Sequence, residues 1–303
     1  MQQSSPAPGR MALLLPPEAE SRDQKMALVL DKLTVPHELP RVSRERLLAA
    51  LAESMTCCTS TIVCGRAGMG KTMLATDFAS RAGRRVAWYK VDAADADLQV
   101  FMQYLVAAVR AQHPGFGRKT LALVLATRTA EEAAVLAESF VYEMTMLEAS
   151  EALLVVIDDL HLVYDAAWFV PFFHRLLPLL PAEAHVVLAG RTLPPAPLWR
   201  LRSKQTLRVI DESALLFTPV ETEELLTSYA LNTDLSTDIW TDTRGRAAAL
   251  DAAVREQAAL RARGGTRAHA PGGDTPRPTA EDERTARAPL RLVKGMQKPL
   301  RAT

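Results

Sequence analysis

Eight consecutive residues, Gly65-Arg66-Ala67-Gly68-Met69-Gly70-Lys71-Thr72, satisfy the pattern G-x-x-x-x-G-K-[ST] at every fixed position, and the β-branched run Thr61-Ile62-Val63 precedes them. Glycines at these spacings let the backbone turn so that successive N–H groups face one anion. A helix opening at the end of the loop adds its positive end at the same place. The chemistry is phosphate binding, and ATP or GTP is the first ligand class to consider. Lys71 would neutralise the β- and γ-phosphates, and Thr72 would offer its hydroxyl to Mg2+, a hard cation that takes oxygen ligands. Met73 completes the candidate binding segment. A bare turn between a strand and a helix has no need of the Lys-Thr pair.

A second signal is the aliphatic run Leu153-Leu154-Val155-Val156-Ile157 ending in Asp158-Asp159. Such a run reads as a parallel strand buried on both faces, and carboxylates at its carboxyl end lie where open α/β sheets bind ligands. Asp158 is then a candidate to hold Mg2+, and Asp159 to orient or deprotonate the water that attacks a γ-phosphate. A third polar strand end is Arg191-Thr192, after His185-Val186-Val187-Leu188-Ala189-Gly190. By position alone, Arg191 reads equally as a sensor of the γ-phosphate or as a surface arginine. His161 beside two carboxylates does not make a transition-metal site, so it reads as structural.

These residues need a sheet to carry them. Strand-like and helix-like segments alternate along the middle of the chain, the pattern of a parallel sheet covered on both faces. After the phosphate-loop helix come a strand over Arg85 to Val91 and a long helix from near Asp95. The positions Leu98, Phe101, Met102, Leu105, Val106 and Val109 give that helix one buried face. Another helix over about 130–148 leads to the Asp-Asp strand. An apolar helix follows from about Ala166, with Pro171 in its first turn. It covers the sheet rather than spanning a membrane, because His174 and Arg175 interrupt a run too short to cross. A short strand around Leu207 to Ile210 and helices near 219–230 and 246–262 supply the last edge and a small helical lid, the first opened by Thr218-Pro219.

The 303 residues carry a net charge of +1, which gives no long-range electrostatic reason for a nucleic-acid or membrane partner. The three cysteines, Cys57, Cys58 and Cys64, lack metal-ligand spacing, and the vicinal pair is a poor disulfide candidate, so a reducing cytoplasm fits. The expected organisation is a leader over 1–25, a core over 26–217, a lid over 218–263 and a tail over 264–303. The leader is too short in apolar residues for a signal peptide, and the tail reads as solvated despite its basic end.

Taken in order, these landmarks resemble the MalT-like signal-transduction ATPases of large LuxR-type bacterial transcription regulators, members of the STAND class of P-loop switches. The resemblance runs over about 26–262. It rests on Lys32 to Pro36 with Val42-Ser43-Arg44-Glu45-Arg46-Leu47, on the phosphate loop, and on Val86 to Asp92 with Asp95 and Phe101. Further matches are Ile157-Asp158-Asp159-Leu160-His161, Arg191 with Pro194-Pro195 and Leu198 to Arg202, Phe217-Thr218-Pro219, and Gly245 to Leu250. It implies an α/β P-loop NTPase, a three-layer sandwich with a central parallel sheet in the order 5-1-4-3-2 and a small helical lid. It places Val42 and Arg44 near an adenine and Arg191 in a sensor position, and it implies ATP with Mg2+ as ligands. The absence of an Asn-Lys-x-Asp guanine-reading motif also favours ATP.

The departures are equally specific. Leu216 stands where the family has arginine, and Arg246 and Ala247 replace the tryptophan and proline of its Gly-Trp-Pro landmark. The helical-repeat and helix-turn-helix regions of the family have no counterpart here, so no direct DNA-binding domain is expected in this chain, and the change of composition after about 263 suggests a truncated or frame-shifted end or a short form. The expected function is an ATP/ADP-binding switch module with slow Mg2+-dependent hydrolysis, which self-associates or pairs with related regulators. The alternatives are a non-catalytic partner of full-length regulators and a stand-alone P-loop ATPase or kinase.

Overall fold

The computed structural model describes residues 28–127, 129–147, 152–204 and 206–267. The expected leader, and the expected tail from 268 onward, lie outside the described residues. Two compact units are distinguished, one ending at Glu256 and one beginning at Gln257. The sheet and the candidate site belong to the first.

In chain order the elements are α1 (Glu45–Cys57), β1 (Ser60–Cys64), α2 (Lys71–Arg81), β2 (Arg85–Lys90), α3 (Leu98–Arg110), α4 (Arg118–Ala126) and α5 (Ala133–Thr145). Then follow β3 (Leu153–Asp158), α6 (Phe169–Leu179), β4 (Ala184–Gly190), β5 (Leu207–Ile210), α7 (Pro219–Ser228), α8 (Ser236–Thr243) and α9 (Ala247–Arg267). The five strands lie in the order β2-β3-β4-β1-β5, and every pairing is parallel. This is the expected 5-1-4-3-2 order read from the opposite edge.

The strand period of two divides the core between the faces of the sheet. Val155 and Ile157 join Phe101, Phe140, Phe172 and Phe173 under α3, α5 and α6, where Phe101 lies 4.6 Å from Trp168 and Phe169 4.7 Å from Phe173, ring centre to ring centre. Leu154 and Val156 meet Leu51, Leu74, Phe78 and Trp88 on the face covered by α1 and α2. Each fully buried ring or leucine contributes about 1.5–3 kcal/mol by leaving water. A smaller cluster, Leu225, Leu226, Ile239, Leu250 and Val254, holds the lid together.

Some boundaries differ from the expectation for local reasons. The long helix opens at Leu98, not near Asp95, because Asp97 caps it, accepting from the N–H groups of Gln99 and Val100. Asp95 instead belongs to a 3-10 turn over Ala93–Ala96, closed by a capping box with Asp92. Its buried carboxylate takes the Lys32 ammonium at 2.6 Å, which fastens the entry segment to the β2 edge. Helices α1, α4 and α8 were not anticipated. Pro171 does sit in the first turn of α6.

The fold puts the carboxyl ends of β1, β3 and β4 side by side, with Cys64 paired to Gly190 and Ile157 to Leu188. The phosphate-loop residues, Asp158-Asp159 and Arg191 all leave the sheet along that edge.

Candidate functional site

The loop from Gly65 to Gly70 joins β1 to α2. Gly65 donates its N–H to the Gly190 carbonyl at 3.2 Å, and a Cβ at Gly65 would come within 3.0 Å of Leu215. Gly68 and Gly70 have φ values of +79° and +77°, a backbone that only glycine adopts without strain. Met69 between them is buried, whereas Arg66 and Ala67 are exposed. Arg66 is occupied by Glu212, which takes its backbone N–H at 2.8 Å and its side chain at 2.7 Å.

Lys71 and Thr72 open α2. The Lys71 ammonium donates to the carbonyls of Gly65 at 2.6 Å and Arg66 at 3.1 Å. Burial pushes its pKa down, the carboxylates of Asp158 and Asp159 oppose that, and Arg191 adds to it. The Thr72 hydroxyl donates to Asp158 Oδ2 at 2.7 Å. Asp158 is wholly buried, and burial raises its pKa against the effect of that hydrogen bond. A hydroxyl and a carboxylate facing each other are an all-oxygen donor set of the kind Mg2+ takes. The residues present therefore fit a magnesium ion, and the glycine backbone beside them fits a phosphate chain.

Asp159 has φ +55°, rare for a residue with a side chain, and donates its N–H to Asp158 Oδ1 at 2.9 Å. Its carboxylate lies 4.0 Å from His161 Nδ1, whose pKa burial lowers. Arg191 is exposed, and among the described residues it makes no hydrogen bond or ion pair. It lies near enough to Lys71 and His161 to disfavour their charged forms.

Arg44, just before α1, is buried and clasps the loop from outside. Its guanidinium donates to the carbonyls of Gly70 at 2.9 Å, Met69 at 3.4 Å and Leu215 at 2.8 Å. Burial lowers its pKa to about 10, with Glu221 opposing the shift. The neighbouring Arg46 reaches Glu221 at 3.0 Å. Glu221 also completes the capping box that opens α7, accepting from the Thr218 N–H at 2.8 Å.

A cavity of about 570 Å³ extends from the loop toward the lid. Val42, Arg44 and Met73 line it, together with Gly68 and Gly70. The opposite wall comes from the lid: Phe217, Tyr229, Ala247, Ala248 and Asp251. The first turn of α9 touches the loop directly, where Ala248 donates its N–H to the Gly68 carbonyl at 2.8 Å.

Residues 40–189 match the family described as AAA ATPase domain. The chain carries an AAA ATPase domain. It is 32% identical over 201 residues to the HTH-type transcriptional regulator MalT of Serratia proteamaculans (strain 568), a match covering 65% of this chain and 21% of that protein. It is 29% identical over 233 residues to the regulator of the same name from Klebsiella pneumoniae subsp. pneumoniae, covering 74% of this chain and 24% of that protein. The chain thus spans less than a quarter of the length of these curated relatives, and its P-loop ATPase core is MalT-like. Among solved structures it resembles Drosophila ORC bound to DNA, with a TM-score of 0.45 and 17% identity over 86% of this chain and 66% of that one. It also resembles a Walker-type ATPase of Pyrococcus abyssi, with a TM-score of 0.43 and 12% identity over 76% of each chain.

The wall that residues 217–255 add to the cavity, beyond the stretch matched to the AAA ATPase domain, is what sequence reasoning missed. Phe217 and the first residues of α9 stood among the family landmarks, but nothing in their spacing says that they face the loop. Tyr229, Asp251 and Arg255 form a network at the cavity wall, with the Tyr229 hydroxyl 3.2 Å from Asp251 and Arg255 2.8 Å from it. The departures from the resembled family also acquire places. Ala247 takes the first position of α9, where proline would be preorganised, and packs over Gly70. Leu216 contributes its backbone carbonyl as an acceptor for Arg46. Among the described residues, no helix is long and apolar enough to cross a membrane, and no group of three or more His, Cys, Asp or Glu side chains is placed to hold a metal ion.

Proposed function

We propose that the chain is an ATP-binding switch module of the STAND type that hydrolyses ATP slowly with Mg2+ and signals through its lid. The observation that carries this reading is the meeting of Thr72 with Asp158 beneath a glycine loop on which the lid also rests. Lys71 and the loop N–H groups bind the phosphates, and Val42, Arg44 and Met73 line the space for the base and sugar. Mg2+ bound by Thr72 and Asp158 would neutralise charge on the phosphoryl oxygens.

Asp159 orients water and accepts its proton, and Arg191, free of other partners among the described residues, answers to the γ-phosphate. A ligand that touches both the loop and the lid binds one lid position better than another, which is the condition for a population shift. Self-association, or pairing with related regulators in the cytoplasm, is the output we assign to that shift.

The test is a titration of purified chain with fluorescent ATP and ADP analogues in Mg2+, run beside size-exclusion chromatography in each nucleotide state. Binding by wild type, loss of binding in Lys71→Ala and a nucleotide-dependent change in size are expected. Asp159→Asn should keep the binding and lose the turnover. Equal binding by wild type and Lys71→Ala would overturn the assignment.

A further inference from the structure

The far end of α1, away from Arg44, holds a feature that phosphate chemistry does not use. Cys57 is the last residue of α1 and Cys58 its C-cap, and their sulfurs lie 3.6 Å apart. Cys57 is exposed and Cys58 half-buried, so reagents in solution reach both.

The backbone beneath them is held by a buried polar chain. Cys58 donates its N–H to Ser54 O at 2.8 Å. Its carbonyl lies 3.1 Å from His185 Nδ1, and since a carbonyl can only accept, Nδ1 carries the proton. Nε2 is then the acceptor for the Thr61 hydroxyl at 2.9 Å, and Thr61 in turn accepts from Ser54 at 2.6 Å. The two thiols therefore project from a fixed base.

They are poorly placed to oxidise to a disulfide with each other. Adjacent Cα atoms stand about 3.8 Å apart, short of the range of about 4.4–6.8 Å that ordinary disulfides span, and an S–S bond of about 2.05 Å would need the sulfurs drawn together. An atom placed between the sulfurs removes both objections, because it lengthens the bridge and uses the separation already present. We propose that Cys57 and Cys58 form a two-thiol capture site for trivalent arsenic and similar thiophiles.

Soft sulfur ligands favour such an atom. With an organoarsenous acid, R–As(OH)2, each thiol gives up its proton, each As–O bond is replaced by an As–S bond, and two waters leave. Arsenic stays trivalent and no oxidant or reductant is consumed. Burial, reinforced by Cys57, raises the Cys58 pKa, so that thiol stays protonated and resists oxidation while its proton remains available to leave as water. Cys64 is buried at the end of β1 and takes no part.

The experiment uses the full chain, reduced and freed of reductant, with phenylarsine oxide as probe, read by intact mass and thiol titration. One phenylarsenic group per chain is expected, with the loss of two titratable thiols. The adduct should survive excess glutathione and be removed by 2,3-dimercaptopropanol. Cys57→Ser and Cys58→Ser, shown to be folded by their melting curves, should each weaken capture at least tenfold, while Cys64→Ala retains it. Capture by Cys58→Ser equal to wild type would overturn the site. So would complete displacement by glutathione in the wild type, which needs no variant to fold.

Discussion

The Thr72 hydroxyl donates to Asp158 across 2.7 Å, joining residues 86 positions apart in the chain. One comes from the first turn of a helix and the other from the last position of a strand two places away in the sheet. The N–H of Asp159 holds the other oxygen of Asp158, but it is the sheet order that brings the two side chains together. Asp158→Asn keeps the shape and removes the charge. It should lower ATP affinity in Mg2+ by about tenfold, or ~1.4 kcal/mol, and leave affinity in EDTA nearly unchanged. Isothermal titration in the two buffers separates the effects, and an equal loss in both would dissociate Asp158 from the metal.

Arg44→Ala withdraws a buried guanidinium from the carbonyls of Met69, Gly70 and Leu215. Hydrogen bonds from a charged donor contribute about 1.5–3 kcal/mol each, and the stranded carbonyls add a cost. A loss of roughly 2–4 kcal/mol in urea unfolding is expected, accompanied by weaker nucleotide binding. Arg44→Lys should recover only part of the stability, since an ammonium lacks the planar fork.

His185 supplies a pH dependence. Burial depresses its pKa from 6.5 to about 4, so the folded chain keeps the ring neutral while the unfolded chain protonates it below about 6.5. Its contribution is full above pH 6.5 and declines as the pH falls toward 4, by up to about 3 kcal/mol. Chemical denaturation from pH 7.5 to 4.5 should show this decline in wild type and a shallower one in His185→Gln. Parallel curves would remove His185 from the account.

Gly245→Ala tests the lid. Its φ is +69°, and a Cβ there would lie 2.6 Å from the Phe217 carbonyl, which is backbone and cannot step aside. Faster amide exchange across α7 and α8, without change in β3 or β4, is expected by hydrogen-exchange mass spectrometry.

Most of the sheet was legible because long aliphatic strands and a fixed glycine spacing are local signals. The hidden elements lacked such signals. Helix α8 is Ser-Thr-Asp-Ile-Trp-Thr-Asp-Thr, a composition poor in helix formers, and it exists because Ile239 reaches the lid core. Helix α4 carries leucine and valine at 121, 123, 124 and 125, which blurs its period. At the candidate site, the glycine loop with Lys71 and Thr72 is one contiguous segment, which is why its pattern was readable. The lid half consists of ordinary residues, Tyr229 and Asp251 among them, whose relation to the loop exists only once Ala248 has docked on Gly68.

That docking also sets a direction. In a planar trans peptide the C=O and the N–H point opposite ways, so the bond from Ala248 to the Gly68 carbonyl turns the Met69 N–H away from α9. One contact from a helix nearly 180 residues further along the chain thereby fixes which way a peptide plane of the glycine loop faces.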